Sequence, residues 1–220
     1  MTSYHPLRYI VQYPSAGLLL IQLLGLVLYP FMEDLPERRA VFGAFGAIVL
    51  VAALRMVRRG PTLHGLAFTL AAVIVALSII GVFVEEPRLD LWLFTLEAGF
   101  YFYATASLIS YMTEDQRATT DELFAVGATF TLLAWAFAYT FMACQLLYPG
   151  SFTGAIDPQA PRSWMELLFL SITVLSGVGI GDILPMLPLA RGLVLLEAIA
   201  GVMYIALVVS RLIGLTIVRR

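Results

Sequence analysis

Three glycines alternate with apolar residues in one short stretch, Ser176-Gly177-Val178-Gly179-Ile180-Gly181-Asp182. Glycine allows backbone conformations that other residues avoid, so successive carbonyl groups can point to one side. A ladder of carbonyl oxygens supplies partial negative charge but binds a cation less tightly than carboxylates do. Such a ladder therefore suits a cation that must shed its water, bind and then leave. We call residues 176–182 the glycine loop and predict that it binds cations, with Asp182 at its mouth.

A short helix is predicted immediately before the glycine loop. Pro161 ends the preceding segment, and Ser163 and Glu166 have the S-x-x-E spacing of a capping box. The predicted helix runs from Trp164 to about Leu175, which is roughly three turns and reaches only halfway across a bilayer. Its negative C-terminal end would face the loop and favour a cation there.

The composition predicts a membrane protein. Of the 220 residues, 60% are hydrophobic and 13% are charged, whereas about a quarter of a soluble domain is charged. A span needs about 20 apolar residues, and six segments approach or exceed that length, at about 16–32, 40–57, 63–84, 89–112, 123–147 and 187–215. A seventh, 164–183, is too interrupted by glycine to cross as a plain helix, and such backbone is tolerated only where it is buried in protein or lines a water-filled path.

The distribution of arginine predicts the orientation. All thirteen basic residues are arginine, and with the N-terminus inside, eight face the cytoplasm and five face out, so both termini are predicted to be cytoplasmic. The start of the chain lacks the basic region and cleavage site of a signal peptide. The net charge of −2 gives no basic surface for nucleic acid, whereas arginines at span ends are expected to contact lipid headgroups: Arg55, Arg58, Arg59, Arg219 and Arg220.

The glycine loop and its surroundings resemble the pore of tetrameric potassium-type cation channels, in particular the small prokaryotic six-span members. GVGIGD, residues 177–182, is similar to the T-V-G-Y-G-D filter of that family, and Pro185 follows it. AWAFAYTFMACQLLYPGSF and PLARGLVLLEAIAGVMYIALVVSRLIGL resemble the outer and inner pore helices. The resemblance covers roughly residues 122–215, and the first four apolar segments match only in number and length.

The resemblance implies an all-α membrane protein with six transmembrane helices, a re-entrant pore helix and a filter loop between helices 5 and 6, assembled as a homotetramer. Residues 1–118 would form a peripheral four-helix domain and residues 119–220 the pore domain. No cofactor is expected beyond the permeant K⁺, or Na⁺, and the expected partners are copies of the chain and the lipids of the prokaryotic inner membrane. The implied filter residues are Ser176, Gly177, Val178, Gly179, Ile180 and Gly181, with K⁺ at Gly177 to Ile180. The implied pore-helix residues are Ser163, Trp164, Glu166 and Thr173.

Two departures from the resembled filter leave the ion selectivity open. Gly177 stands where the family has threonine, so one oxygen ligand is lost, and Ile180 replaces a tyrosine that anchors the filter. Passive conduction of monovalent cations with K⁺ favoured is the leading expectation, and a poorly selective Na⁺/K⁺ pore is the alternative.

Two other functional classes fit the sequence less well. A secondary transporter usually has two broken helices in matching halves, and the sequence shows one broken segment. An enzyme is not expected, because neither His5 nor His64 is placed to activate Ser176.

Three residues outside the glycine loop are candidates for gating or packing. Glu97 is a carboxylate deep in the fourth apolar segment, where a charge is costly and often functional, although it could equally be protonated or paired with a tyrosine. Glu197, where the resembled family also has glutamate, is expected first to pack against the pore helix and second to act in gating. Gly201 could serve equally as a hinge or as a notch for close helix packing.

The fourth apolar segment predicts weak voltage dependence. Voltage sensors move about 3–4 arginine charges in each of four subunits, but here no arginine follows Arg88 in the segment, and Glu97 is its only deep charge. In planar-bilayer recordings, we expect an apparent gating charge far below the roughly 12–16 elementary charges of four such sensors. A steep change of open probability with voltage would contradict this expectation.

Overall fold

The computed structural model describes residues 13–33, 38–58, 64–84, 86–113, 119–210 and 213–214. A π-helical turn, Ile205–Val209, directly continues the last long helix. The elements of this part of the chain are α1 (Pro14–Glu33), α2 (Arg38–Val57), α3 (His64–Phe83), α4 (Pro87–Thr113), α5 (Thr120–Leu147), β1 (Phe152–Gly154), α6 (Trp164–Leu175), β2 (Ile183–Pro185) and α7 (Pro188–Tyr204).

The helices have the dimensions of a membrane protein. Among the described residues, four helices are long and apolar enough to cross a membrane: Ala40–Val57, Gly65–Phe83, Thr120–Leu147 and Pro188–Val209. Pro14–Tyr29 and Trp164–Leu175 are shorter apolar helices, and α4 is 27 residues long but more polar. A helical membrane protein is therefore confirmed, while the count of six spans stays a prediction.

The central element of the fold is α5. Of its span, 67% is buried inside the protein, compared with 33% for the span in α2, 17% for that in α3 and 22% for that in α7. It packs against α1, α4, α6 and α7. Five of its alanines are fully buried, and such small side chains let neighbouring helices approach closely: Ala125, Ala128, Ala134, Ala136 and Ala138.

α1 and α5 begin at the same end of the bundle. Asp121, in the first turn of α5, accepts hydrogen bonds from Ser15 N at 3.1 Å and Ser15 Oγ at 2.9 Å. At the other end of α1, the Tyr29 ring lies 5.9 Å from that of Trp164, the first residue of α6. The polar contact fixes one end of α1 to the start of α5, and the aromatic contact fixes its other end to the start of α6.

α4 packs on α5 through buried aromatic rings. The Tyr101 ring stacks on that of Tyr139, with centroids 5.6 Å apart and planes 6° from parallel, and it meets Trp135 edge-on at 5.7 Å. Edge-to-face and offset aromatic pairs contribute about 0.5–1.5 kcal/mol each beyond area burial. These contacts join α4 to α5, which also packs against α6.

A two-stranded antiparallel ribbon, which the sequence analysis did not predict, connects α5 to α7. Phe152 pairs with Pro185 and Gly154 with Ile183, and Met186 N donates to Ser151 O at 2.8 Å. Because β1 follows α5 and β2 precedes α7, residues 155–182 leave and return at the same end of the bundle, which we call the β1–β2 end. Strands of three residues are too short to give a periodic sequence signal.

α7 crosses the end of α6 at Gly201. A Cβ atom at Gly201 would lie 2.3 Å from the carbonyl oxygen of Leu175 and 2.8 Å from its Cα. Further along α7, the Tyr204 hydroxyl donates to the Val126 carbonyl of α5 at 2.6 Å. Of the two interpretations of Gly201, this geometry favours the packing notch.

Replacing Gly201 with alanine should destabilise the protein. The added methyl would overlap backbone atoms of Leu175, and overpacking of this kind costs about 1–3 kcal/mol. Thermal unfolding in detergent, followed by tryptophan fluorescence, measures the loss. The matched control is Gly192→Ala in the same helix, where a Cβ meets nothing within 4 Å; it should be neutral or gain up to about 1 kcal/mol of helix propensity. Equal unfolding temperatures for the two variants would contradict the notch.

Candidate functional site

α6 begins with the capping box that the sequence predicts. Ser163 Oγ accepts a hydrogen bond from Glu166 N at 3.3 Å, and Glu166 Oε2 accepts one from Ser163 N at 2.7 Å. The helix occupies Trp164–Leu175, the predicted range. The reciprocal bonds satisfy two N–H groups that the start of a helix would otherwise leave unpaired.

Arg162 is a buried cation that the sequence analysis missed. Its side chain donates to Glu166 Oε1 at 3.0 Å, to the Ala160 carbonyl at 3.1 and 2.6 Å, and to the Asp157 carbonyl. Only 5% of Arg162 is exposed, so these acceptors, and not water, must stabilise its positive charge. Gly154 makes room for it, because a Cβ there would lie 2.1 Å from the guanidinium.

The side chain of Gln145 holds the entry to α6 from the end of α5. Its Nε2 donates to the Arg162 carbonyl at 3.0 Å, and its Oε1 accepts from Arg162 N at 2.7 Å. Gln145 is buried, so both halves of its amide are paired without help from solvent. The residues lie seventeen positions apart, and no sequence signal connects them.

The first half of the glycine loop wraps around the end of α6. Val178 N and Gly179 N both donate to the Thr173 carbonyl at 3.0 Å, and Gly177 N donates to that of Val174 at 3.0 Å. Gly177 has a φ of 74° and Gly179 a φ of 64°. Residues other than glycine pay about 1–2 kcal/mol for such left-handed backbone. In this loop conformation, the threonine of the resembled family would therefore be strained at position 177.

The glycine loop is exposed on the isolated chain. All seven of its residues are exposed, including Val178 at 65% and Ile180 at 49%. Ile180 cannot make the hydrogen bond by which tyrosine anchors the resembled filter. The carbonyl ladder and its ion sites stay predictions, and so does the role of Asp182 at the mouth.

Ser171 and Glu197 join α6 to α7 behind the loop. The Ser171 hydroxyl contacts the Glu197 carboxyl group and lies 2.9 Å from the Ala134 carbonyl of α5. Glu197 is 0% exposed. Glu197 therefore packs against α6, whereas its role in gating stays a prediction.

Glu97 lies apart from the glycine loop. It is 7% exposed and lines the same cavity as Tyr139; its pairing with a tyrosine stays a prediction. Together with Trp164 it lines a cavity between the peripheral helices and the start of α6. The structure thus places Glu97 near the beginning of α6, and not near the glycine loop.

Residues 127–217 match the model of a protein family described as ion channel. This range begins within α5 and contains α6, the glycine loop and α7, and it covers less than half of the chain. No curated protein and no solved structure matches the chain significantly. The match supports a pore-loop cation channel with passive transport activity in a membrane.

Two substitutions at Glu166 separate its capping and charge contributions. Glu166→Ala removes the hydrogen bonds of the carboxyl group to Ser163 N and to Arg162 but keeps Ser163 as the N-cap, and we expect a loss of about 1.5–3 kcal/mol, the range for hydrogen bonds to charged groups. Glu166→Gln keeps an acceptor for Ser163 N and should lose about half as much. Thermal unfolding of both variants against the wild type gives the two values.

The relative loss of stability in the two variants shows which contribution of Glu166 matters. If Glu166→Gln is as damaging as Glu166→Ala, the charge alone matters. If both unfold like the wild type, the anchoring of α6 through Glu166 is wrong.

Proposed function

We propose that the chain conducts monovalent cations passively across the cell membrane, with K⁺ as the favoured ion. The observation that carries the proposal is the arrangement of α6 and the glycine loop between α5 and α7, inside the residues that match the ion-channel family model. Half-helix, glycine loop and following long helix are the parts from which a carbonyl-lined cation pore is built.

The length of α6 supports a loop at mid-membrane depth. Twelve residues at about 1.5 Å each give a helix of about 18 Å, compared with about 30 Å for the hydrocarbon core. The β1–β2 ribbon brings the chain back to the end at which it entered. A helix that enters and stops halfway directs the partial negative charge of its last carbonyls towards a cation in the loop.

The exposure of the loop and of α7 supports a homotetramer. One chain supplies a single row of carbonyls. A ring of carbonyls around an ion needs about four such rows, one from each of four chains. The glycine loop is uncovered on one chain, and α7 carries large exposed apolar side chains that other copies and lipid would cover: Leu195, Leu196, Ile199, Val202 and Met203.

A poorly selective Na⁺/K⁺ pore is the second candidate. The positive φ of Gly177 excludes threonine from that position without strain, so its hydroxyl oxygen cannot be regained in this conformation. Ile180, half exposed, offers apolar packing where the resembled family has a polar anchor. A loop with fewer ligands and a weaker anchor would hold a K⁺-sized ring less firmly, and selectivity would fall.

The reversal potential with K⁺ on one side and Na⁺ on the other distinguishes the two candidates. Purified protein is reconstituted in a planar bilayer, with Gly179→Ala as the loop variant and Gly192→Ala as its control. Alanine at position 179 must adopt a φ of 64°, at a cost of about 1–2 kcal/mol, so we expect the loop to rearrange and the current to fall about tenfold or more. Gly192→Ala, which meets nothing within 4 Å, should conduct like the wild type.

Each outcome has a definite meaning. A reversal potential near the K⁺ equilibrium value establishes K⁺ conduction, and a value near zero with the same loss in Gly179→Ala establishes the poorly selective pore. Current that is absent, or that Gly179→Ala leaves unchanged, overturns the proposal. The assembly is tested separately by mass measurement in lipid discs, where a stable single chain of 24.2 kDa would contradict the tetramer.

A further inference from the structure

A cavity of about 220 Å³ lies between the peripheral helices and the start of α6. Residues of α1 to α5 form its walls, and Trp164 closes it on the side of α6. Aromatic rings dominate the walls, among them those of Tyr29, Phe94, Trp135 and Tyr139. Sites for drug-sized ligands usually measure about 300–1,000 Å³, so this cavity suits a smaller molecule.

Two carboxyl groups belong to the cavity walls, those of Asp90 and Glu97, and the lining that the described residues form contains no arginine. Glu97 is 7% exposed. A cation in the cavity would stabilise the ionised form of Glu97, because burial of a charge is costly unless an opposite charge compensates it.

Glycines on three helices create the space. Gly25, Gly43, Gly46 and Gly81 all line the cavity, and a Cβ at Gly43 or Gly46 would meet no atom within 4 Å. At Gly25, in contrast, the Phe45 ring comes within 2.2 Å of where a Cβ would be. Gly46 is therefore a position at which a larger side chain would enter the cavity without displacing its walls.

Two indole N–H groups in the cavity residues have no acceptor. Trp135 Nε1 and Trp164 Nε1 are buried and make no hydrogen bond within the part of the chain that the structure describes, and Trp135 is only 1% exposed. An unpaired buried donor costs about 1–3 kcal/mol. Both nitrogens are inaccessible to water, so these N–H groups do not contact an occupant of the cavity in this conformation.

We propose that this cavity binds a small organic ammonium ion, held by Glu97 and by the aromatic rings that line the cavity. Aromatic faces attract organic cations within about 6 Å of the ring centroid, and quaternary ammonium ligands are recognised in this way. Small inorganic cations prefer a shell of about six or more oxygen ligands, whereas aromatic rings form much of these walls. An apolar chain would leave the Glu97 carboxyl group without a partner of opposite charge.

The ammonium group could belong to a dissolved amine or to a lipid headgroup, and both have the same chemistry at the site. In either case it would contact Trp164, the first residue of α6, next to the capping box. The inference concerns binding alone, so it stands or falls independently of conduction.

Choline is the probe, titrated against the full-length protein in discs of phosphatidylglycerol. The readout is the fluorescence of Trp135 and Trp164 in a Trp92→Phe background, because Trp92 is 65% exposed and not among the lining residues. We expect a saturable change with choline and a much weaker one with 3,3-dimethylbutan-1-ol, its neutral isostere. The same titration in phosphatidylcholine discs identifies the source: a lower apparent affinity means that the lipid headgroup occupies the site, and an equal affinity means a dissolved amine.

Two pairs of variants test the residues. Glu97→Gln should weaken choline binding about tenfold or more, equivalent to about 1.4 kcal/mol, while Glu86→Gln, an exposed carboxyl outside the cavity, should not. Gly46→Leu should abolish saturation by filling the space. Gly99→Leu, on an exposed helix face with nothing within 4 Å, should bind like the wild type.

The proposal is overturned if the neutral isostere binds as tightly as choline, or if no saturable change occurs in either type of disc. It is also overturned if Gly46→Leu, with an unfolding temperature like that of Gly99→Leu, still binds choline normally. The Gly46 pair decides the question even if Glu97→Gln does not fold.

Discussion

The attachment of α6 at its first residues is the interaction on which the rest of the candidate pore depends. Glu166 uses one oxygen for the capping box and the other for Arg162, while Gln145 binds the backbone of Arg162 from α5. Polar groups without a partner are most costly where water is scarce, and these groups are almost fully paired. A helix of only three turns is thereby given a fixed starting point and direction.

The other end of α6 is fixed by contact with α7, through different chemistry. The missing side chain of Gly201 lets the two backbones approach, and Ser171 and Glu197 add a polar contact within the same interface. With both ends fixed, the Thr173 carbonyl can receive the N–H groups of Val178 and Gly179. The position of the glycine loop is therefore a consequence of helix packing on both sides, and not of the loop sequence alone.

The local spacing of residues made α6 predictable. The long-range contacts of the fold could not be predicted in this way. The capping box and the bounds Trp164–Leu175 follow from residues within three or four positions of one another, and the six long apolar segments are helical over nearly all of their described residues. Three features were not predictable. The β1–β2 ribbon and the Gln145 contacts join residues that are far apart in sequence, and the burial of Arg162 gives no periodic pattern. The cavity is also invisible in sequence, because its glycines and rings are shared among six helices.

Trp164 connects α4 and α5 to the start of α6. Its ring meets that of Trp135 edge-on at 5.1 Å and lies 5.7 Å from that of Tyr139, while Tyr139 in turn stacks on Tyr101 of α4. Trp135, Tyr139 and Trp164 also line the cavity of about 220 Å³, so free space lies directly beside these ring contacts. Trp164 is the first residue of the helix that leads to the glycine loop. A continuous series of aromatic contacts therefore runs from Tyr101 of α4 through Tyr139 of α5 to the start of α6.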